Sequence, residues 1–184
     1  MSRWFGFFFD AFDCLASKLS KVIMLDGCRE GWLQAELAMY ADRLTEEGQF
    51  DPCGFKVNRF PLARGKRRAT ADCSAGGRWP MVAEIKIVGC LAKNIDGGPI
   101  KPYRELLPGP IEVTQSMLDG VRQGEGSILA DVARLGTVND HQRFMVVVVP
   151  DGDAHSFKVA RALQISSRQE WRQYNGFGVM VAQI

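Results

Sequence analysis

Histidine is almost missing from this 184-residue chain. His141 and His155 stand alone, which excludes a histidine-built metal cluster. The five cysteines (Cys14, Cys28, Cys53, Cys73, Cys90) are odd in number and widely spaced, with no C-x-x-C pair. Neither a disulfide framework nor a zinc site is indicated. No apolar run reaches the length of a membrane span, and no internal repeat is visible. Charge of one sign is not in excess either: 23 Lys and Arg stand against 21 Asp and Glu, for a net +2. That balance is too small to imply a nucleic-acid partner by itself. What remains is a chain with 46% hydrophobic and 24% charged residues, long enough for one domain with a real core. A reducing cytoplasm is the expected setting, without stable membrane insertion.

The beginning of the chain, Trp4-Phe5-Gly6-Phe7-Phe8-Phe9, has the look of a secretory signal. Asp10 and Asp13 interrupt it, and no small-residue cleavage site follows. Phe5, Phe8, Phe9, Phe12, Leu15, Leu19 and Val22 keep helical spacing. An N-terminal amphipathic aromatic helix over residues 1–25 is therefore expected, packed on the domain at 26–184 or on a second copy in a homodimer. Few basic residues line its polar side, which argues against a membrane-surface role.

A second helix is expected from Arg29 to Glu47, with Leu33, Leu37, Tyr40 and Leu44 inward and Gly48 ending it. Phe55–Pro61 and Ala69–Ser74 read as two strands around a basic turn, and Met81–Val88 as a third. Leu91–Pro110 reads as a long excursion and Glu112–Arg122 as a helix. Ser127 is expected to cap a helix to Leu135. Phe144–Val149 is a buried strand, Ser167–Tyr174 a helix, Asn175-Gly176 a turn and Val179–Ile184 a last strand. This order predicts an α/β sandwich with a mixed sheet.

Within Met81–Val88, strand alternation puts Val82, Glu84, Lys86 and Val88 on one face and Ala83, Ile85 and Ile87 on the other. Both faces carry apolar residues, so the strand is central. Opposite charges on such a face are costly unless they are paired or bound to something. Asp72 lies upstream, with Gly76-Gly77 as the turn between the two acids. Between Asp51 and Asp72 the chain carries Lys56, Arg59, Arg64, Lys66, Arg67 and Arg68 and no acid. A cluster of this kind supplies sequence-independent affinity for a phosphate backbone, with Arg64, Lys66, Arg67 and Arg68 as the candidate contacts.

Asp72 followed by Glu84-Ile85-Lys86 resembles the PD-(D/E)XK nuclease superfamily over roughly residues 29–150. Ala71 stands where the motif's proline would be. The resemblance implies a restriction endonuclease-like, three-layer α/β sandwich with a central mixed sheet flanked by helices. It makes Asp72, Glu84 and Lys86 the catalytic set. Glu30, with Gln34 one turn later, matches the helix acid that many members place beside the metal, and Glu36 is the reserve. Asp131 resembles an acid often found on the helix after the motif strand.

The implied activity is a Mg2+- or Mn2+-dependent DNA endonuclease acting on double-stranded DNA, in a restriction, defence, repair or toxin-effector setting. Asp72, Glu84 and Glu30 would hold the ion with hard oxygen ligands. Residues 84 and 86 lie about 7 Å apart on one side of the strand, so Lys86 would orient the water or a phosphate, or act as a base if burial depresses its pKa. RNA remains open as a substrate. The alternative is a nuclease-fold protein that no longer cuts and binds nucleic acid or protein instead.

Overall fold

Ser2 opens the first helix, its Oγ accepting the Trp4 amide, and the aromatic stripe runs on as α1, Arg3–Val22. The fold is that of a computed structural model, described for residues 2–23, 29–48, 54–62, 69–87, 91–92, 101–102, 128–150, 163 and 166–184. Trp4, Phe5, Phe8, Phe12 and Leu19 are buried together with Leu33, Leu37 and Ala41 of α2 (Arg29–Glu46). Each large side chain among them contributes about 1.5–3 kcal/mol by leaving water. The stripe is thus part of the chain's own core, which removes it as the face for a second copy.

The strands follow as β1 (Lys56–Val57), β2 (Pro61–Leu62), β3 (Ala69–Thr70), β4 (Cys73–Ala75), β5 (Met81–Ile87), β6 (Leu91–Ala92) and β7 (Lys101–Pro102). Then come α3 (Ile128–Leu135), β8 (Gln142–Pro150), β9 (Arg168–Tyr174) and β10 (Phe177–Gln183). Six of these strands form one sheet in the order β1-β4-β5-β8-β10-β9. All neighbours are antiparallel except β5 and β8, which are parallel. A parallel pair needs a crossover connection, and α3 lies in it.

The β8 strand explains the layering. Phe144, Val146 and Val148 join the cluster under α1 and α2, whereas Met145, Val147 and Val149 join the one containing Val132 and Leu135 of α3. The result is a mixed α/β arrangement with helices over both faces of a six-stranded mixed sheet.

Several expectations are corrected. The helix expected at 167–174 is the edge strand β9. Asn175-Gly176, with Gly176 at φ 83, closes a two-residue hairpin that pairs Tyr174 with Phe177. Trp171 packs so tightly over Gly178 that a Cβ there would sit 1.9 Å from its ring. The two strands expected at 55–61 and 69–74 each break in two. Asn58, at φ 51, turns the chain between β1 and β2, and Asp72 sits in the bend between β3 and β4 rather than within a strand. The Arg64–Arg68 turn, the 112–122 helix, Ser127 and most of the 91–110 excursion lie outside the described residues.

Candidate active site

The site forms where β4 stops short of β5. Their pairing ends at Cys73 opposite Ala83, yet β5 continues to Ile87, held by β8 on its other side. One further step in the register sets Asp72 opposite Glu84. Beyond that point side chains take the place of the missing strand. Asp72 Oδ2 accepts the Ile85 amide at 2.7 Å, and Glu30 Oε1 accepts the Ile87 amide at 3.1 Å. An unpaired buried amide would cost about 1–3 kcal/mol, so both acids are held for a structural reason as well.

A relay fixes the other Asp72 oxygen. Gln34 Nε2 donates to Asp72 Oδ1 at 2.8 Å, and Asn58 Nδ2 donates to Gln34 Oε1 at 2.8 Å. The Asn58 amide also donates to the Asp72 carbonyl at 3.1 Å. Asparagine tolerates the left-handed backbone that this position requires.

Helix α3 closes the site from the opposite face. Lys86 Nζ lies 3.4 Å from Glu30 Oε1 and 3.7 Å from Asp131 Oδ2. Arg134 reaches Glu84 Oε1 through Nε and Nη2, both at 3.3 Å, and its Nη2 also donates to Asp131. Glu30 and Asp131 each stand in the first turn of their helices, where the helix dipole favours negative charge.

Four carboxyl groups therefore meet two cations, and burial makes the excess charge expensive. Glu84 is pushed up to about 8, by burial first and then by the neighbouring Asp72 and Asp131 charges. Asp131 rises to about 6, chiefly through burial, although Lys86 and Arg134 pull it down. Asp72 is also raised by burial, against the Ile85 amide and a side-chain hydrogen bond with Glu84 that favour its charge. The shared proton belongs on Glu84. For Lys86, burial lowers the pKa, but Asp131, Glu30 and Asp72 outweigh it and the net direction is upward. The neighbouring acids thus favour the charged form of Lys86, which suits the orienting role better than the base role that the sequence left open.

Asp72, Glu84, Lys86, Glu30, Gln34 and Asp131 are thus brought together. Glu36 is not: it points to α1 and pairs with Lys18 at 3.6 Å. Two further participants come from outside the expected set. Arg134 was legible only as the residue three after Asp131 on one helix face, and Asn58 carried no signal beyond its residue type.

Among the described residues, no group of three or more His, Cys, Asp or Glu side chains is arranged to hold a metal ion. The Asp72–Glu84 pair nevertheless fits Mg2+ or Mn2+ in donor chemistry, with oxygen only, and in charge, with carboxylates in excess of cations. Glu30 Oε1 serves Lys86 and the Ile87 amide.

No family model, curated protein or solved structure matches this chain. Among the described residues no helix is long and apolar enough to cross a membrane.

Proposed function

We propose that this chain is a divalent-metal-dependent phosphodiesterase of the PD-(D/E)XK type, with a restriction endonuclease-like fold and DNA as its substrate. One observation carries the reading: where β4 leaves β5, Asp72 from the bend before β4 meets Glu84 and Lys86 of β5, a strand otherwise buried on both faces. When bound, Mg2+ would lower the pKa of a coordinated water and offset charge on the phosphate. The chain's own residues do the rest. Asp72 is oriented by Gln34 and the Ile85 amide, and Glu84 by Arg134. Lys86, kept charged between Glu30 and Asp131, offers an ammonium that would steer water and a phosphate oxygen together.

The test is cleavage of supercoiled plasmid, linear duplex, single strand and RNA, each with Mg2+, Mn2+ or EDTA. Metal-dependent cutting of duplex that is lost in Glu84→Gln supports the reading. Retained cutting in EDTA sinks it.

A second reading, a nuclease-fold module that binds without cutting, is favoured by Arg134, which already occupies Glu84 Oε1. Duplex binding with no cleavage and no metal response would select it.

A further inference from the structure

Arg134 has a place in the site that neither the motif nor the carboxylates explain. Its guanidinium is forked between Glu84 Oε1 and Asp131 Oδ1, and its side chain is only 15% exposed. Glu84 and Asp131 are themselves 3% and 1% exposed, so water solvates neither carboxyl and each depends on partners within the protein. The other cation of the cluster, Lys86, pairs with Glu30 and Asp131 rather than with Glu84. Among the described residues, Arg134 is therefore the cation that Glu84 meets, on the side chain proposed to hold the metal.

We propose that Arg134 is a resident stand-in for the metal: it holds Glu84 Oε1 and offsets the charge of Asp131 when no divalent cation is present, and it competes with that cation for Glu84. The inference rests on the metal-dependent reading of the site. Its physical content is an exchange of like charges. A guanidinium is permanently charged and planar, so it satisfies two buried carboxyls at once and keeps the acid cluster from forcing the helix and strand apart. The same positive charge repels an arriving divalent ion and holds one of the oxygens that ion needs. Removing it therefore has opposite effects on two properties. The metal-free fold loses a partner for two buried acids, while the cation gains a free ligand oxygen and a more negative site. A purely structural ion pair would change the first property and leave the second alone.

The experiment is Mn2+ binding to the full chain, followed by the paramagnetic resonance of free Mn2+ well below the melting temperature. Parent and Arg134→Gln are compared, with circular dichroism of each. The expected result is binding roughly tenfold or more tighter in Arg134→Gln, together with a lower melting temperature in EDTA. Should Arg134→Gln be unfolded in EDTA, Mn2+ is expected to restore its spectrum, because the cation replaces the lost charge. Unchanged or weaker Mn2+ binding in a folded variant overturns the proposal, as does a variant that stays unfolded at saturating Mn2+. A parent that binds no Mn2+ and cuts no substrate removes the metal-dependent reading itself, and this inference with it.

Discussion

Asp72 sits in the bend before β4 rather than within a strand, yet its Oδ2 accepts the Ile85 amide at 2.7 Å. An acid side chain thus occupies the place where a neighbouring strand's carbonyl would sit. The gap that would weaken β5 as a strand is what leaves room beside Glu84 and Lys86. Stability and site are coupled there.

Asp72→Asn and Glu84→Gln should each abolish cleavage and the rise in melting temperature caused by Mg2+ or Mn2+, since the ion stabilises only the fold that binds it. Differential scanning fluorimetry with and without metal checks this. A full metal-induced shift in Glu84→Gln would place the ion elsewhere.

Lys86→Ala should destabilise the metal-free protein by about 3 kcal/mol, because Asp131 and Glu30 lose their shared cation. Mg2+ should still bind, as an ammonium is not a ligand, while cleavage falls by orders of magnitude. Urea unfolding and a plasmid assay separate the two effects. Strong destabilisation with no metal response in the parent would make the cluster a structural ion network.

Acidity should stabilise the metal-free fold. Glu84 and Asp131 have folded pKa values of about 8 and about 6, above their ordinary 4.5 and 3.8. Their protons are held more tightly folded than unfolded, so the stability they contribute is complete below about pH 4 and is lost as pH rises towards 8. Saturating Mg2+ should flatten this dependence by taking the place of the protons. Melting temperatures from pH 5 to 9, in EDTA and in Mg2+, give the measurement. A metal-free stability that climbs across this window contradicts the assignment.

Replacing Arg64, Lys66, Arg67 and Arg68 together by Ala should weaken binding to every duplex sequence alike. It should also reduce the slope of log affinity against log salt by about 0.9 for each phosphate that is no longer neutralised. Fluorescence anisotropy over a salt series reads both, and an unaltered slope would turn this segment away from nucleic acid.

Gly178→Ala should destabilise the fold by about 1–3 kcal/mol, because the new Cβ meets the Trp171 ring at 1.9 Å. Chemical denaturation checks it. A variant as stable as the parent would show that the indole has room to move.

Much of the layering was legible because it rests on periodic patterns. The helices α1 and α2, the strand β5 and the inward residues of α3 announce themselves by spacing, and β8 by its unbroken apolar run. The 167–174 segment was not legible as a strand. Arg168–Tyr174 carries mostly polar residues, suited to a sheet edge, and only its register against β10 across Asn175-Gly176 makes it one.

The sequence by itself determined that Glu84 and Lys86 share one side of a buried strand and that Asp72 precedes it across a turn, because strand alternation is a local property. Which helix acid joins them was only favoured by the sequence, through Gln34 one turn after Glu30, and depends on tertiary packing: α2 packs so that Glu30 reaches the open edge of β5 while Glu36 meets Lys18 on α1. Tertiary packing also decided that Arg134 faces Glu84 and that Lys86 lies between Glu30 and Asp131. Both depend on charges brought close from separate elements, and electrostatic energy in a buried site follows distance in space rather than position along the chain.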